Sequence, residues 1–289
     1  MKISHCLLFT GLLAALGLHT SVVQAAPQPN IVHILTDDLG WMDPACYYRA
    51  VRGEESLYET PHMDRLAASG KRFMQAYSPA PTCAPSRAAY IAGQYTPHTG
   101  VLHVMGGRLA RPFHAWHACG EPFYPSRLPL DRPTIPQQLK AAGYVTAHIQ
   151  KWHLGGRSNG YPGPVAYGFD FGWRGGPNAP YNDPELWGDD IRHKREYWQG
   201  IWLPLEPRHE GFATADPNDP FRTNPDDDDR PFDGATDLAI RWMEKVKGQD
   251  KPFFLNFCPS LVHGPFTTRD RKRLAHYCEK LGVPFPTDP

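Results

Sequence analysis

Pro81-Thr82-Cys83-Ala84-Pro85-Ser86-Arg87-Ala88-Ala89-Tyr90-Ile91-Ala92-Gly93 reads as a short helix entered through an unusual N-terminus. Pro85 suits the first turn, where a missing N–H costs nothing, Ala88 to Ala92 propagate the helix, and Gly93 ends it. Cys83 and Arg87 then share an end that carries unpaired N–H donors and partial positive charge, and Arg87 adds a fork of donors shaped for a tetrahedral oxyanion. The alternative is a buried cysteine beneath a helix cap, a common fate of free thiols. The C-x-P-S-R pentamer itself, with four positions fixed, arises by chance on the order of once in a thousand chains of this length.

Working outward, Asn30 to Thr36 is a short apolar, partly β-branched run of the kind buried in a parallel sheet. It delivers Asp37 and Asp38 at its carboxyl end, where ligand sites of open α/β sheets lie. Two adjacent carboxylates there call for a cation or donors, and hard oxygens favour calcium or magnesium; alternatively the pair caps the next turn. Thr60 to Gly70 reads as a helix with a Thr60 cap, Pro61 first and Gly70 last.

Downstream, Thr134 to Gly143 is a second capped helix and Tyr144 to Ile149 a strand. Lys151 and His153 follow, and strand alternation places them on one face: a fixed cation, and a group able to move a proton near neutral pH. A chance surface pair is the competing reading. Asp233 to Lys247 has helical spacing, Lys251 to Phe257 is another buried-type strand, and His263 stands beyond its end. Thr267 to Leu281 reads as a charged surface helix.

Two long stretches lack periodicity. Gln94 to Arg132 reads as loops, and its His98, His103, His114 and His117 match no tight zinc spacing. Arg157 to Arg230 reads as a binding rim, whose Trp173, Trp187, Trp198 and Trp202 either stack on sugar rings or pack the loop down. Asp226 to Asp229 lacks the spaced ligands of a calcium loop and reads as a solvated acidic segment.

The 289 residues, 41% hydrophobic, suffice for one large domain or two small ones. Thirty basic and thirty acidic residues cancel, which gives no support to nucleic-acid binding by bulk charge. Met1 to Ala26 reads as a signal peptide: Lys2, the apolar run Leu7 to Leu18, then Ala25-Ala26. Its run is short of the roughly 20 residues of a membrane span, and no later segment is apolar enough to cross. Export, periplasmic or secreted, is expected, leaving Cys46, Cys83, Cys119, Cys258 and Cys278 as an odd set in an oxidising setting.

Together these stretches resemble the sulfatase family. Cys83-Ala84-Pro85-Ser86-Arg87 matches its C-x-P-S-R, Lys151-Trp152-His153-Leu154-Gly155 its K-W-H-L-G, and Asp37-Asp38 its N-terminal aspartate pair. Thr60 to Gly70 is close to its T-P-N-x-D-x-L-A-x-x-G, with His62 for Asn, and His263 stands in its P-H-x-P-F setting, with Val262 for Pro. The resemblance implies an α/β fold like that of alkaline phosphatase, with a mostly parallel central sheet flanked by helices. It further implies hydrolysis of sulfate esters through a formylglycine made from Cys83 by a maturation enzyme. Asp37, Asp38 and the group at Cys83 would hold calcium or magnesium, with Arg87 supporting the nucleophile. Lys151 and His263 would neutralise sulfate, His153 would take a proton, and His263 would protonate the departing alcohol. The substrate class is a sulfated sugar or an aryl sulfate. A phosphate or phosphonate monoesterase of the same fold, or a non-catalytic exported glycan-binding relative, is the alternative.

The family's usual further metal-site strand, its sulfate-contacting Lys and its small C-terminal domain do not follow Phe266. The expected organisation is a signal peptide over 1–26 and the N-terminal part of a catalytic domain over 27–289, with a cation short of ligands.

Overall fold

A computed structural model describes residues 28–104, 124–125, 127–154, 162–173, 234–264 and 271–286. The signal-peptide segment, His114, His117, Cys119, three of the four rim tryptophans and the Asp226 to Asp229 run lie outside these residues.

Four strands form one sheet: β1 (Ile31–Ile34), β2 (Val145–Gln150), β3 (Phe171–Trp173) and β4 (Phe253–Cys258). Their spatial order is β1-β4-β2-β3 and every pairing is parallel. All carboxyl ends therefore open on one side, and the expected α/β class with a parallel sheet is what the chain adopts. Around the sheet lie α1 (Ala45–Arg52), α2 (Pro61–Ser69), α3 (Cys83–Ala92), the single turn α4 (Thr96–Thr99), α5 (Ile135–Ala141), α6 (Gly234–Val246) and α7 (Arg271–Leu281). A 3-10 turn occupies Pro164–Tyr167. No helix among the described residues is long and apolar enough to cross a membrane.

Both faces of β2 and β4 are covered, which explains their near-continuous apolar runs, while the edge strand β1 leaves Val32 and Ile34 exposed. On one face, Ala147, Ile149, Phe253 and Leu255 meet Leu238, Trp242 and Val246, which recur every four residues along one stripe of α6. Truncating Trp242 to Ala there costs about 3–5 kcal/mol. On the other face, Phe254 packs with Ala84, Ala88 and Ile91 of α3 and with Trp152, Tyr167 and Phe169. The sheet thus holds α3, and with it the Cys83 end, against the side where the strands terminate.

Local signals explain most element ends. Thr134 caps α5 in a full capping box with Gln137, and Gly93 closes α3 in the left-handed conformation at φ 62°. Gly168 is required for a different reason: φ is 104°, and a Cβ there would sit 2.5 Å from Gln137 Cγ.

Several expectations need correction. Helix α3 begins at Cys83, so Pro85 is its third residue, still within the first turn. The Thr60 side chain does not cap α2; it accepts from the Ala45 amide at 2.7 Å and donates to Asp64, tying α1 to α2. The stretches read as loops contain α4, the 3-10 turn and β3, elements of three or four residues, too short to display a period. Helix α1 was not anticipated because its apolar stripe is interrupted by Arg49 and lacks a capping side chain.

Candidate active site

Cys83 is the first residue of α3, and Arg87 follows one turn later with its side chain 3% exposed. The Arg87 Nη2 donates to Asp37 Oδ1 at 3.2 Å, and Nη1 donates to the Lys151 carbonyl at 2.8 Å. The sequence reading aimed this fork at an oxyanion. In the fold it is instead a buried brace that joins the ends of β1 and β2.

Asp37, 5% exposed at its side chain, pairs with Arg87 through one oxygen and with the Lys151 ammonium through the other. Burial alone raises its carboxyl, but Lys151 and Arg87 outweigh that and hold it below the usual carboxylate range. The Lys151 Nζ also lies 3.6 Å from Cys83 Sγ. A cation, a thiol and a buried carboxylate therefore meet at a helix N-terminus.

His263 arrives from beyond β4 because two backbone bonds lock the following turn to the β1 end: Asp37 N to Leu261 O, and Val262 N to Asp37 O. Its Nδ1 donates to the Gly264 carbonyl at 2.7 Å, which leaves Nε2 facing Asp38 Oδ2 at 3.7 Å. Asp38 differs sharply from its neighbour: its side chain is 54% exposed and its φ is 59°. Asp37, Cys83 and His263 each offer an atom within 4.8 Å of the others.

His153 adopts φ 55°, and its Nδ1 is buried without a hydrogen-bond partner. Burial first, then the charges of Lys151 and Arg87, push its pKa down to about 4, so it is neutral at pH 7. Strand alternation is not what brings it near Lys151. Gln150 and His153 both have positive φ, so the chain leaves β2 by two sharp turns and alternation has already ended. Six of the seven residues singled out by sequence are joined by contacts: Asp37 with Arg87 and Lys151, Lys151 with Cys83, and His263 with Asp38 and the Asp37–Cys83 group, while His153 is linked to them through the charges of Lys151, Arg87 and Asp37.

Asp37 and Asp38 are hard donors suited to calcium or magnesium, but Asp37 already faces two cations. Two carboxylates and one atom at position 83 also fall short of the 6–8 oxygens calcium takes. The described residues thus fit part of a cation site. His98 and His103 do not join it: the close group of possible ligand atoms among the described residues contains neither.

Sequence reasoning missed the polar row behind the site. His33, Asn256 and His148 are register partners across β1, β4 and β2. The Asn256 Nδ2 donates to His148 Nδ1 and to the Tyr90 hydroxyl, both at 2.9 Å, and Oδ1 accepts from His33 Nδ1 at 2.8 Å. The signal was present: a lone Asn in Phe253-Phe254-Leu255-Asn256-Phe257 and a lone His in the run before Gln150 break otherwise apolar strands.

The sulfatase family profile matches residues 29–279. N-acetylgalactosamine-6-sulfatase of Canis lupus familiaris is 39% identical over 261 residues, covering 88% of this chain and 43% of that protein. The Rattus norvegicus enzyme of the same name is 40% identical over 175 residues, covering 59% of this chain and 30% of the relative. The chain thus spans less than half the length of these curated relatives. Among solved structures, Ps i-CgsB in complex with k-i-k-neocarrahexaose superposes with a TM-score of 0.51 at 23% identity, over 87% of this chain and 49% of that one. PsFucS1 sulfatase from Pseudoalteromonas sp. does so with a TM-score of 0.50 at 20% identity, over 88% and 52%. At such identities the likeness is one of fold.

Proposed function

Because the chain belongs to the sulfatase family, as the match over residues 29–279 shows, we propose that it carries the catalytic centre of a sulfate-ester hydrolase whose nucleophile is a formylglycine made from Cys83. The observation that carries this reading is the Lys151 ammonium lying 3.6 Å from Cys83 Sγ at the N-terminus of α3, with Asp37 beneath. Positive charge and free N–H donors around a nucleophile are what a sulfate ester needs as it is attacked.

As its hydrate, formylglycine supplies one hydroxyl to attack sulfur and a second whose deprotonation expels sulfate. A calcium or magnesium ion held by Asp37 and Asp38, completed by water or by groups outside the described residues, would add positive charge beside the sulfate oxygens. Lys151 exchanges part of its contact with Asp37 for a sulfate oxygen. Arg87, by gripping Asp37 and the Lys151 carbonyl, keeps both groups in place while this happens. His153, neutral and within the field of Lys151, Arg87 and Asp37, is the proposed acceptor of the proton at position 83. His263, whose Nε2 faces Asp38, is the proposed donor to the departing alcohol in its imidazolium form, since the neutral ring keeps its proton on Nδ1.

The substrate class is a sulfated carbohydrate, a reading supported by relatives named for N-acetylgalactosamine-6-sulfate ester cleavage and by Ps i-CgsB, solved with a neocarrahexaose. A maturation enzyme that oxidises Cys83 is the implied partner. Export to the periplasm or beyond, through residues 1–26, completes the reading. The test is hydrolysis of a sulfated sugar and of the matching phosphate ester by matured protein from its native host, alongside Cys83→Ala. Turnover of the sulfate ester that Cys83→Ala abolishes is expected. Equal turnover in the variant would overturn the nucleophile, preference for phosphate would overturn the substrate, and sugar binding without turnover by either protein would point to a glycan-binding relative.

A further inference from the structure

The buried row behind the site ends on the backbone that carries Lys151. His148 is fully buried, and its Nε2 lies 3.2 Å from the Gln150 carbonyl, which only accepts; the proton therefore sits on Nε2. Its Nδ1 is then the acceptor for Asn256 Nδ2. The orientation of Asn256 is in turn fixed from every side. Its second N–H goes to Tyr90, and Oδ1 takes His33 Nδ1 and the Cys258 thiol. One tautomer and one ring orientation satisfy all these bonds together.

Gln150 needs that support. Its φ of 81° is a conformation that residues with a Cβ rarely adopt and that persists only where surroundings over-determine it. Three bonds do so in succession. The His148 ring donates to the Gln150 carbonyl, the Lys151 amide donates to the Cys258 carbonyl at 3.0 Å, and Arg87 donates to the Lys151 carbonyl. This turn takes the chain off β2 and aims Lys151 Nζ at Asp37 and Cys83 rather than along the strand.

We propose that His148, oriented by Asn256, is a positioning residue for Lys151: it holds the Gln150 turn and thereby fixes the ammonium at the oxyanion position. The inference rests on the sulfatase reading of Lys151. Without the His148 donor the turn relaxes toward ordinary φ, and the ammonium reaches the anion only in a fraction of molecules.

The test uses matured full-length protein and four variants: His148→Leu, which removes donor and acceptor; His148→Asn, whose short amide can replace the Nδ1 acceptor but falls short of the Nε2 position; His148→Gln, which carries an amide donor out to near Nε2; and Lys151→Ala. Inhibition by inorganic sulfate, KM, kcat and thermal midpoint are measured for each. His148→Leu and His148→Asn are expected to weaken sulfate inhibition and kcat/KM by about tenfold, the upper range for one lost hydrogen bond, with His148→Gln restoring most of it. Should His148→Leu not fold, the Asn and Gln pair carries the comparison. Unchanged sulfate inhibition in His148→Asn, with only a lowered midpoint, would reduce His148 to a structural residue and overturn the inference while Lys151→Ala still weakens sulfate. Sulfate inhibition untouched in Lys151→Ala would instead overturn the functional reading of the site itself.

Discussion

Lys151 and Cys83 lie 68 residues apart in sequence, on different elements, yet the Lys151 Nζ stands 3.6 Å from Cys83 Sγ. The parallel sheet creates this meeting. Helix α3 is packed against Phe254, and the β2 end emerges beside it.

Lys151 sets the first prediction. Lys151→Ala should lower kcat/KM for a sulfate ester by about 10²-fold, the loss typical of one oxyanion donor. Lys151→Arg should recover only part, because a planar fork does not replace a point charge in a pocket already holding Arg87. Steady-state kinetics on matured protein decide it. Loss equal to that of Cys83→Ala in both variants would instead point to failed assembly.

Arg87 and Asp37 form a pair whose side chains are 3% and 5% exposed. Arg87→Met leaves Asp37 paired with Lys151 alone and the Lys151 carbonyl without its donor, so it should destabilise the fold by about 1–3 kcal/mol. Urea unfolding measures this. The double variant Arg87→Met/Asp37→Asn should lose less than the sum of the singles, since both changes remove the same Arg87–Asp37 contact.

The pH dependence of stability has a defined sign. Burial, reinforced by Arg87, pushes the His148 pKa down to about 3 from 6.5. The folded protein thus resists a proton that the unfolded chain accepts. Stability from this group is complete above pH 6.5 and is lost as pH falls toward about 3, by up to about 1.4 kcal/mol per unit. Asp37 adds loss in the same direction only below about pH 4, because its carboxyl is held low. Unfolding free energies at pH 7, 6 and 5 should fall steadily in the wild type and less steeply in His148→Leu. Parallel slopes would contradict a neutral buried His148.

Thr134 provides a contrast remote from the chemistry. Thr134→Ala removes the capping box of α5 and should cost about 1 kcal/mol of stability. Sulfate-ester KM should stay unchanged, because no site residue depends on that cap. A changed KM would mean that α5 transmits strain to the Lys151 turn.

What sequence made legible follows from where the signals are local. Strands β2 and β4 announce themselves as apolar runs because they are buried on both faces, whereas β1, an edge strand with Val32 and Ile34 exposed, carries an apolar run that burial does not explain. The residues past all three ends are then placed by topology alone. Capping explains why α5 was read within a residue or two. β3 is too short to carry a period, and its identity comes from pairing with Ala147 to Ile149. The division of labour between Asp37 and Asp38 was equally hidden. Adjacent residues look alike in sequence, but the positive φ of Asp38 turns it to solvent while Asp37 is drawn under Arg87. The roles of Arg87 as brace and of Asn256 and His148 as a buried row depend on contacts between residues 50 to 108 positions apart, which no spacing displays.

The central claim is that Cys83 becomes the nucleophile. Protein purified from its native host should be digested and the peptide carrying Cys83 weighed by mass spectrometry, with the Cys258 peptide as internal reference. The account predicts an aldehyde or its hydrate at position 83 and an intact thiol at 258. An unmodified thiol at 83, in a host shown to mature other sulfatases, would contradict it.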